Sequence, residues 1–304
     1  MIKRSIMKKN IIIDGYFDLD DLITIAIASK NEKINILAIT GTLPTERIDI
    51  KENCENFLGY FDTITPIAIS YSHKISNIPY ISKNFCATSL ENSQKFSNDP
   101  CKLLYSTLSQ SHEKITILAT GNLFNIATVL EEFPEVKEKI DSIIIAGGAY
   151  GGGDATPVAE FSIHQDATSA NKLFESGIPL IICGLDVIHK AIFSPFEIDK
   201  FNHFKTPQSN LVYQAASQLL EKEKSHWEYG GISLFGATAL SYLLFPDMFT
   251  SRECFAAIET EGKLTLGQTV IDLHSILKQK NNALLLTDIN HSEIIEFCVN
   301  SFRE

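Results

Sequence analysis

Ile11-Ile12-Ile13-Asp14-Gly15-Tyr16-Phe17-Asp18-Leu19-Asp20-Asp21 joins two patterns that belong to different secondary structures. Three consecutive β-branched residues read as a strand covered on both faces, because a half-exposed strand would alternate apolar with polar. From Asp20 to Ser29 the apolar spacing becomes helical. The segment is therefore a strand, a turn and the start of a helix, and its turn holds four carboxylates in eight residues: Asp14, Asp18, Asp20 and Asp21. Local structure accounts for part of this. Asp20 is expected to cap the helix, and Asp21 to sit in its first turn against the positive end of the helix dipole. That explains one or two carboxylates, not four, so the rest mark a functional site.

Working outward, the same alternation repeats. Ile34 to Ile39, Ile67 to Ile69, Ile115 to Leu118, Ile143 to Ile145 and Leu180 to Ile182 are continuous apolar runs. Helical patterns lie between them at Ile48 to Phe61, Cys101 to Gln110, Leu123 to Glu132 and Thr168 to Glu175. Strand, helix, strand in this order implies right-handed crossovers, hence an α/β fold with an open, mostly parallel sheet and helices on both faces. In such a sheet ligands bind beyond the carboxyl ends of the strands, which is where the acidic turn falls. After Pro195 the pattern changes to helices near Ser209 to Lys222 and Ser233 to Leu244. A hairpin follows around Gly262, then a strand at Ala283 to Leu286 and a closing helix capped by Asn290. No linker or repeat divides the chain, so residues 1–304 are expected to form one domain, with 1–9 as a loose N-terminal extension. Ser72 to Pro100 is polar and poorly periodic and is expected to form long loops.

Composition removes several functions. The 304 residues carry 26 Lys plus Arg against 37 Asp plus Glu, a net charge of −11, which offers no electrostatic footprint for nucleic acid or an anionic membrane. At 44% hydrophobic the chain can bury a large core. No apolar run approaches the 18 or so residues of a membrane span, and Met1 to Ile6 lacks the apolar core of a secretory signal, so a cytoplasmic location is expected. The six cysteines have no C-x-x-C pair or zinc-site spacing and read as small buried hydrophobes.

Other strand ends carry further signals: Ala119-Thr120-Gly121-Asn122-Leu123, Ala146-Gly147-Gly148 running to Gly153-Asp154, Val158-Ala159-Glu160-Phe161-Ser162, and Gly184-Leu185-Asp186. None is a dinucleotide fingerprint, because no G-x-G-x-x-G opens a helix. Together with Leu266-Gly267-Gln268-Thr269 near the C-terminus, and in the same order along nearly the whole chain, these stretches resemble the inosine-uridine-preferring nucleoside hydrolase family. That family opens with D-x-D-P-G-x-D-D, and Asp14 to Asp21 has its spacing.

The resemblance implies hydrolysis of the N-glycosidic bond of ribonucleosides, with a calcium ion at the floor of the pocket. Cleavage passes through an oxocarbenium-like ribosyl cation, so carboxylates, an activated water and help for the departing base are required. The resemblance assigns calcium to the motif's second and last Asp, a threonine carbonyl and a distal Asp, and makes the second Asp the base. Carried onto this chain, Asp21 and Thr120 match two ligands. Tyr16 stands at the base position, where a phenol with an ordinary pKa near 10 is a poor base and a poor calcium ligand. Phe235 stands at the distal ligand and Leu234 at an adjoining His. Calcium is therefore expected to be weak or absent. Asp18, which replaces the motif's glycine, and Asp20 are candidate substitute bases. Thr45, Asp20, Asp154, Glu160 and Ser162 are candidate ribose contacts, and Trp227 and Tyr229 candidate stacking partners for the base. The expected partner is a small ribosylated ligand, and the resemblance implies a homo-oligomer. Two functions follow: N-riboside hydrolysis by an altered site, or a pseudo-enzyme that binds a ribosylated ligand or a protein without turnover. Action on a different glycosyl compound is a third.

Overall fold

The structure, a computed structural model, describes residues 8–43, 48–61, 65–72, 96–223 and 230–303. Its first half is built of β1 (Lys9–Gly15), α1 (Leu19–Ser29), β2 (Ile34–Leu43), α2 (Ile48–Gly59), β3 (Ile67–Tyr71), α3 (Pro100–Gln110), β4 (Ile115–Ala119), α4 (Phe124–Glu132) and β5 (Ile140–Ala146). Then come α5 (Phe161–Gln165), α6 (Ala167–Phe174), β6 (Leu180–Cys183), α7 (Leu185–Ile188), β7 (Ile192–Phe193), α8 (Pro195–Phe201) and α9 (Pro207–Glu223). The last segment holds β8 (Ile232–Ser233), α10 (Phe235–Leu244), β9 (Phe249–Ile258), β10 (Thr269–Asp272), β11 (Ala283–Ile289) and α11 (His291–Asn300).

Nine strands form one sheet in the order β10-β9-β11-β6-β5-β4-β1-β2-β3, parallel from β11 to β3, with β9 antiparallel to both its neighbours. The α/β class is as the alternation of apolar runs implied. Ile11, Ile12 and Ile13 are almost wholly buried, and the sheet is covered on both faces, which is why its inner strands contain so few polar residues. One face packs Ile11 and Ile13 against α1, α9 and α10; the other packs Ile12 and Ile117 against α3, α4 and α6.

The strand order locates the site. The chain proceeds from β1 to β2 and β3 on one side, then returns to lay β4 against the other side of β1 and continues to β5 and β6. The crossovers on the two sides of β1 therefore diverge, and a crevice opens at the carboxyl ends of β1 and β4, the switch point at which open α/β sheets bind ligands.

The structure refines the sequence reading at three places. Lys9 belongs to β1 and not to an extension: it pairs with Ile34, and its N–H donates to the Lys33 carbonyl. The hairpin expected around Gly262 is present: β9 and β10 pair antiparallel and are joined by residues 259–268, with β9 lying between β10 and β11. Helix α8 went unread although Ser194-Pro195-Phe196-Glu197 is a capping-box signature. Ser194 caps it by accepting from the Glu197 N–H, while the Glu197 carboxylate accepts from the Ser194 N–H at 2.9 Å. Ser194→Ala is expected to cost about 1 kcal/mol, read as a lower urea midpoint at unchanged slope.

Among the described cysteines, Cys54, Cys183, Cys254 and Cys298 are buried and Cys101 is partly buried, all as free thiols. No described helix is long and apolar enough to cross a membrane.

Candidate functional site

The acidic turn is held by its own carboxylates. Asp18, in extended backbone geometry, is the residue that caps α1, accepting from the Asp21 N–H at 2.8 Å. This corrects the expectation for Asp20, which lies inside the first turn and instead crosses to α10, where its Oδ2 accepts from the Gly236 N–H at 2.9 Å. The N-terminal N–H groups of a helix have no partners within it, so a carboxylate there satisfies a donor and meets the favourable end of the dipole. Asp21 turns back, and its Oδ2 accepts from the N–H groups of both Tyr16 and Phe17. Those bonds hold a strained residue: Phe17 has φ of +55°, the left-handed region that residues with a side chain seldom occupy. Its buried ring packs on Phe96 at 5.3 Å between centroids. Two glycines make room. A side-chain carbon on Gly15 would collide with the Asp21 carboxylate and the Thr120 hydroxyl, and one on Gly41 would lie 2.7 Å from the Phe17 ring.

Carboxyl groups crowd around this turn. Oxygens of Asp18, Asp20 and Asp21 lie within 4.8 Å of one another. Burial, and then repulsion from Asp21 and Asp20, drives the Asp18 pKa well above the usual carboxylate range; Asp21 is raised too, chiefly by burial. Asp14 is almost fully buried and burial raises it to about 6, although its Oδ1 accepts from Thr40 Oγ1 at 2.7 Å and Asn125 Nδ2 at 2.9 Å. Glu160 caps α5 by accepting from the N–H groups of Ser162 and Ile163, and takes a third bond from the Gly148 N–H. Burial, with Asp154 nearby, raises it to about 7. Asp154 accepts from the Phe161 N–H at 2.7 Å, and burial raises it as well.

Tyr16 links the two acidic groups. Only 3% exposed, it meets the Phe161 ring edge-on at 6.1 Å, and its hydroxyl has no partner at hydrogen-bonding geometry among the described residues. Ser162 lies close enough to favour ionisation of the phenol, but burial together with Glu160, Asp21 and Asp18 pushes it well above 10. The hydroxyl thus sits in the field of carboxylates from both sides of the site. Thr120 follows β4, donates its N–H to the Asp14 carbonyl at 2.8 Å, and places its hydroxyl against Asp21. Phe235 opens α10, partly buried, edge-on to His189 at 6.0 Å. Thr45, Trp227 and Tyr229 lie outside the described residues.

Three supports carry no role in the sequence reading: Thr40, Asn125 and the Gly236 N–H. Thr40 and Asn125 hold Asp14, and the polar residues in Ile39-Thr40-Gly41-Thr42 at a buried strand end were the available signal. Asp186 clamps the glycine-rich turn by accepting from Tyr150 and Gly151 N–H groups, both at 2.9 Å. The Gly236 N–H has no sequence signal, because its partner Asp20 is 216 residues away.

The model of the inosine-uridine preferring nucleoside hydrolase family matches residues 11–296, nearly the whole chain. The chain belongs to this family. Among curated members, the pyrimidine-specific ribonucleoside hydrolase RihA of Citrobacter koseri is 38% identical over 196 residues, and that of Escherichia coli K12 37%. In both cases the match covers 64% of this chain and 63% of the relative, so it spans less than two thirds of either protein. Among solved structures, a plant nucleoside hydrolase superposes with a TM-score of 0.85 at 17% identity, covering 97% of this chain and 98% of that one. A purine-preferring ribonucleoside hydrolase from Gardnerella vaginalis gives 0.83 at 19%, with the same coverage. At such identities the superpositions establish the family's fold.

Proposed function

We propose that this chain hydrolyses the N-glycosidic bond of ribonucleosides with machinery altered from that of its family. The observation that carries this reading is the convergence of Asp18, Asp20 and Asp21 with the Tyr16 hydroxyl at the switch point of the sheet. Burial of carboxyl groups this close together raises the proton affinity of Asp18 and Asp21, which suits the turn to proton transfer. Asp20, steadied by the α10 N-terminus, is the acceptor we assign to the attacking water's proton, with Asp18 beside it. The remaining negative charge stabilises the ribosyl cation as the bond to the base lengthens. Asp154, Glu160 and Ser162 are the ribose contacts in this reading; the sequence candidates Thr45, Trp227 and Tyr229 lie outside the described residues. Pyrimidine ribosides are the first substrates to try, given the names of the curated relatives. The same reading makes the protein a cytoplasmic homo-oligomer.

Members of the family work with calcium, and the residues here do not fit that ion as the family holds it. The base position carries the buried phenol of Tyr16, and the distal position carries Phe235. Asp18, Asp20 and Asp21 each already accept from backbone N–H groups. Two surviving ligands are few for a cation that takes six to eight oxygens. We therefore derive no step through calcium.

The test is ribose release from uridine, cytidine and inosine by the purified chain, with and without a chelator, beside thermal melts with added calcium. Slow release indifferent to chelator, and a melting temperature unmoved by calcium, are expected. Release abolished by the chelator, or stoichiometric calcium retained through purification, would sink the altered-site reading. Ligand binding with no release would favour the pseudo-enzyme.

A further inference from the structure

The glycine-rich turn after β5 is anchored at every N–H from Gly147 to Gly151. Gly147 donates to the Cys183 carbonyl at the end of β6 at 3.0 Å, and Gly148 donates to Glu160 Oε2 at 3.1 Å. Ala149 donates to Thr269 Oγ1 on β10 at 3.4 Å, while Tyr150 and Gly151 donate to the two carboxylate oxygens of Asp186, each at 2.9 Å. Helix α7 grips the turn a second time, because the Leu185 N–H donates to the Gly148 carbonyl at 2.9 Å. Tyr150 and Gly151 are exposed, where water would satisfy their N–H groups equally well, so the clamp by Asp186 fixes a conformation and does not rescue buried donors. What the turn holds in return is Glu160, which is 2% exposed, with Oε2 on the Gly148 N–H and Oε1 on the Ser162 N–H. Gly148 aims its N–H from a φ of +78°, in the left-handed region, and a side-chain carbon on Gly147 would lie 2.8 Å from Glu160 Oε2. The direction of that N–H depends on how the turn is seated, and Asp186 is its seat on the side away from Glu160. The fit there is close: a side-chain carbon on Gly151 would collide with Asp186 Oδ1.

We propose that Asp186 is a positioning residue for ribose recognition: by clamping Tyr150 and Gly151 it sets the Gly148 N–H, and through it the Glu160 carboxyl that meets the sugar. The proposal rests on the reading of Glu160 as a ribose contact and assigns what holds it in place. Asp186 acts through the turn and not on the substrate itself. Its effect therefore falls on binding of the sugar and hardly on proton transfer at Asp20, which belongs to a different turn.

Variants of the full chain test this with uridine as the probe, kcat and KM being read from ribose release and Kd from calorimetry. Asp186→Ala and Gly151→Ala are each expected to raise KM and Kd about tenfold, the weight of one well-placed hydrogen bond, with kcat within about threefold of the wild type. Gly151→Ala displaces the Asp186 carboxylate without removing its charge, and Gly151 is outside the left-handed region, so this variant carries the test should Asp186→Ala fail to fold. Asp186→Asn keeps one acceptor oxygen and should fall between them and the wild type. In a Glu160→Gln background Asp186→Ala should raise KM and Kd by less than about twofold more, because residues that act through one another lose their effects together. Unchanged KM in the single variants, or the same tenfold loss in the Glu160→Gln background, would overturn the proposal and leave the hydrolase reading standing. No turnover by any chain, with Kd still raised in the single variants and not further in the double, would fell the hydrolase reading and sustain the positioning role. Uridine that the wild-type chain neither cleaves nor binds would overturn both.

Discussion

At pH 7.5 the folded chain is expected to be about 3 kcal/mol less stable than at pH 5.5, a loss of several degrees in Tm. The direction follows from Asp14 and Glu160, whose carboxyl groups hold protons more tightly in the folded chain than in the unfolded one, up to about 6 and about 7 respectively. A carboxyl raised in this way costs nothing while protonated in both states. Its penalty grows as pH climbs from the unfolded value near 4 to the folded one, and is complete above it. At about 1.4 kcal/mol for each tenfold in proton affinity, ionising either group in place costs on the order of 3 kcal/mol. About half of that total falls between pH 5.5 and 7.5. The carboxylates held below their ordinary range, Glu197, Glu259, Asp272 and Asp288, act in the opposite sense but have finished titrating by pH 5.5. His189, lowered by burial, opposes the trend near pH 6 as a single group. Urea unfolding at the two pH values measures the difference. Asp14→Asn should flatten the slope, since both recorded side-chain donors to Asp14 reach one oxygen, which Asn retains. Stability unchanged over this range would mean that these carboxyl groups are already ionised in the folded chain.

Asp20→Asn is expected to lower kcat/KM about a thousandfold, within the range for removal of a general base, while leaving the urea midpoint nearly unchanged. The asparagine oxygen can still accept from the Gly236 N–H, so the link from α1 to α10 survives while the proton acceptor is lost. Asp18→Asn is the comparison, because Asn caps a helix as well as Asp does and the α1 cap is kept. A smaller fall, about tenfold, is expected there, since Asp18 contributes charge and Asp20 takes the proton. Equal losses at the two positions, or a greater loss at Asp18, would transfer the acceptor role to Asp18.

Much of the fold was legible because each signal was local. Ile11-Ile12-Ile13 read as a strand covered on both faces, and Asn290 before the closing helix read as the cap that the structure contains. In the structure Asp166 caps α6, accepting from the Ser169 N–H at 3.0 Å. The errors were local too. Asp18 and Asp20 are equally suited to capping by type, and what separates them is the extended backbone at Asp18 and the presence of Gly236 within reach of Asp20. The first of these depends on Phe17 being forced to positive φ, which no propensity would assign to phenylalanine.

By itself, the order of the apolar runs determined the α/β class, the parallel core and the strand ends at which acidic residues would gather, because periodicity and turn chemistry act over a few residues. Only the tertiary structure decided which carboxyl groups meet. Closing β4 against β1 brings Thr120 to Asp21, and folding α10 over α1 brings Gly236 to Asp20. Burial in that crevice raises the proton affinities of Asp14, Asp18, Asp21 and Glu160 together. A carboxylate's charge state depends on the water it loses and the charges it faces. Both are set by parts of the chain far away in sequence.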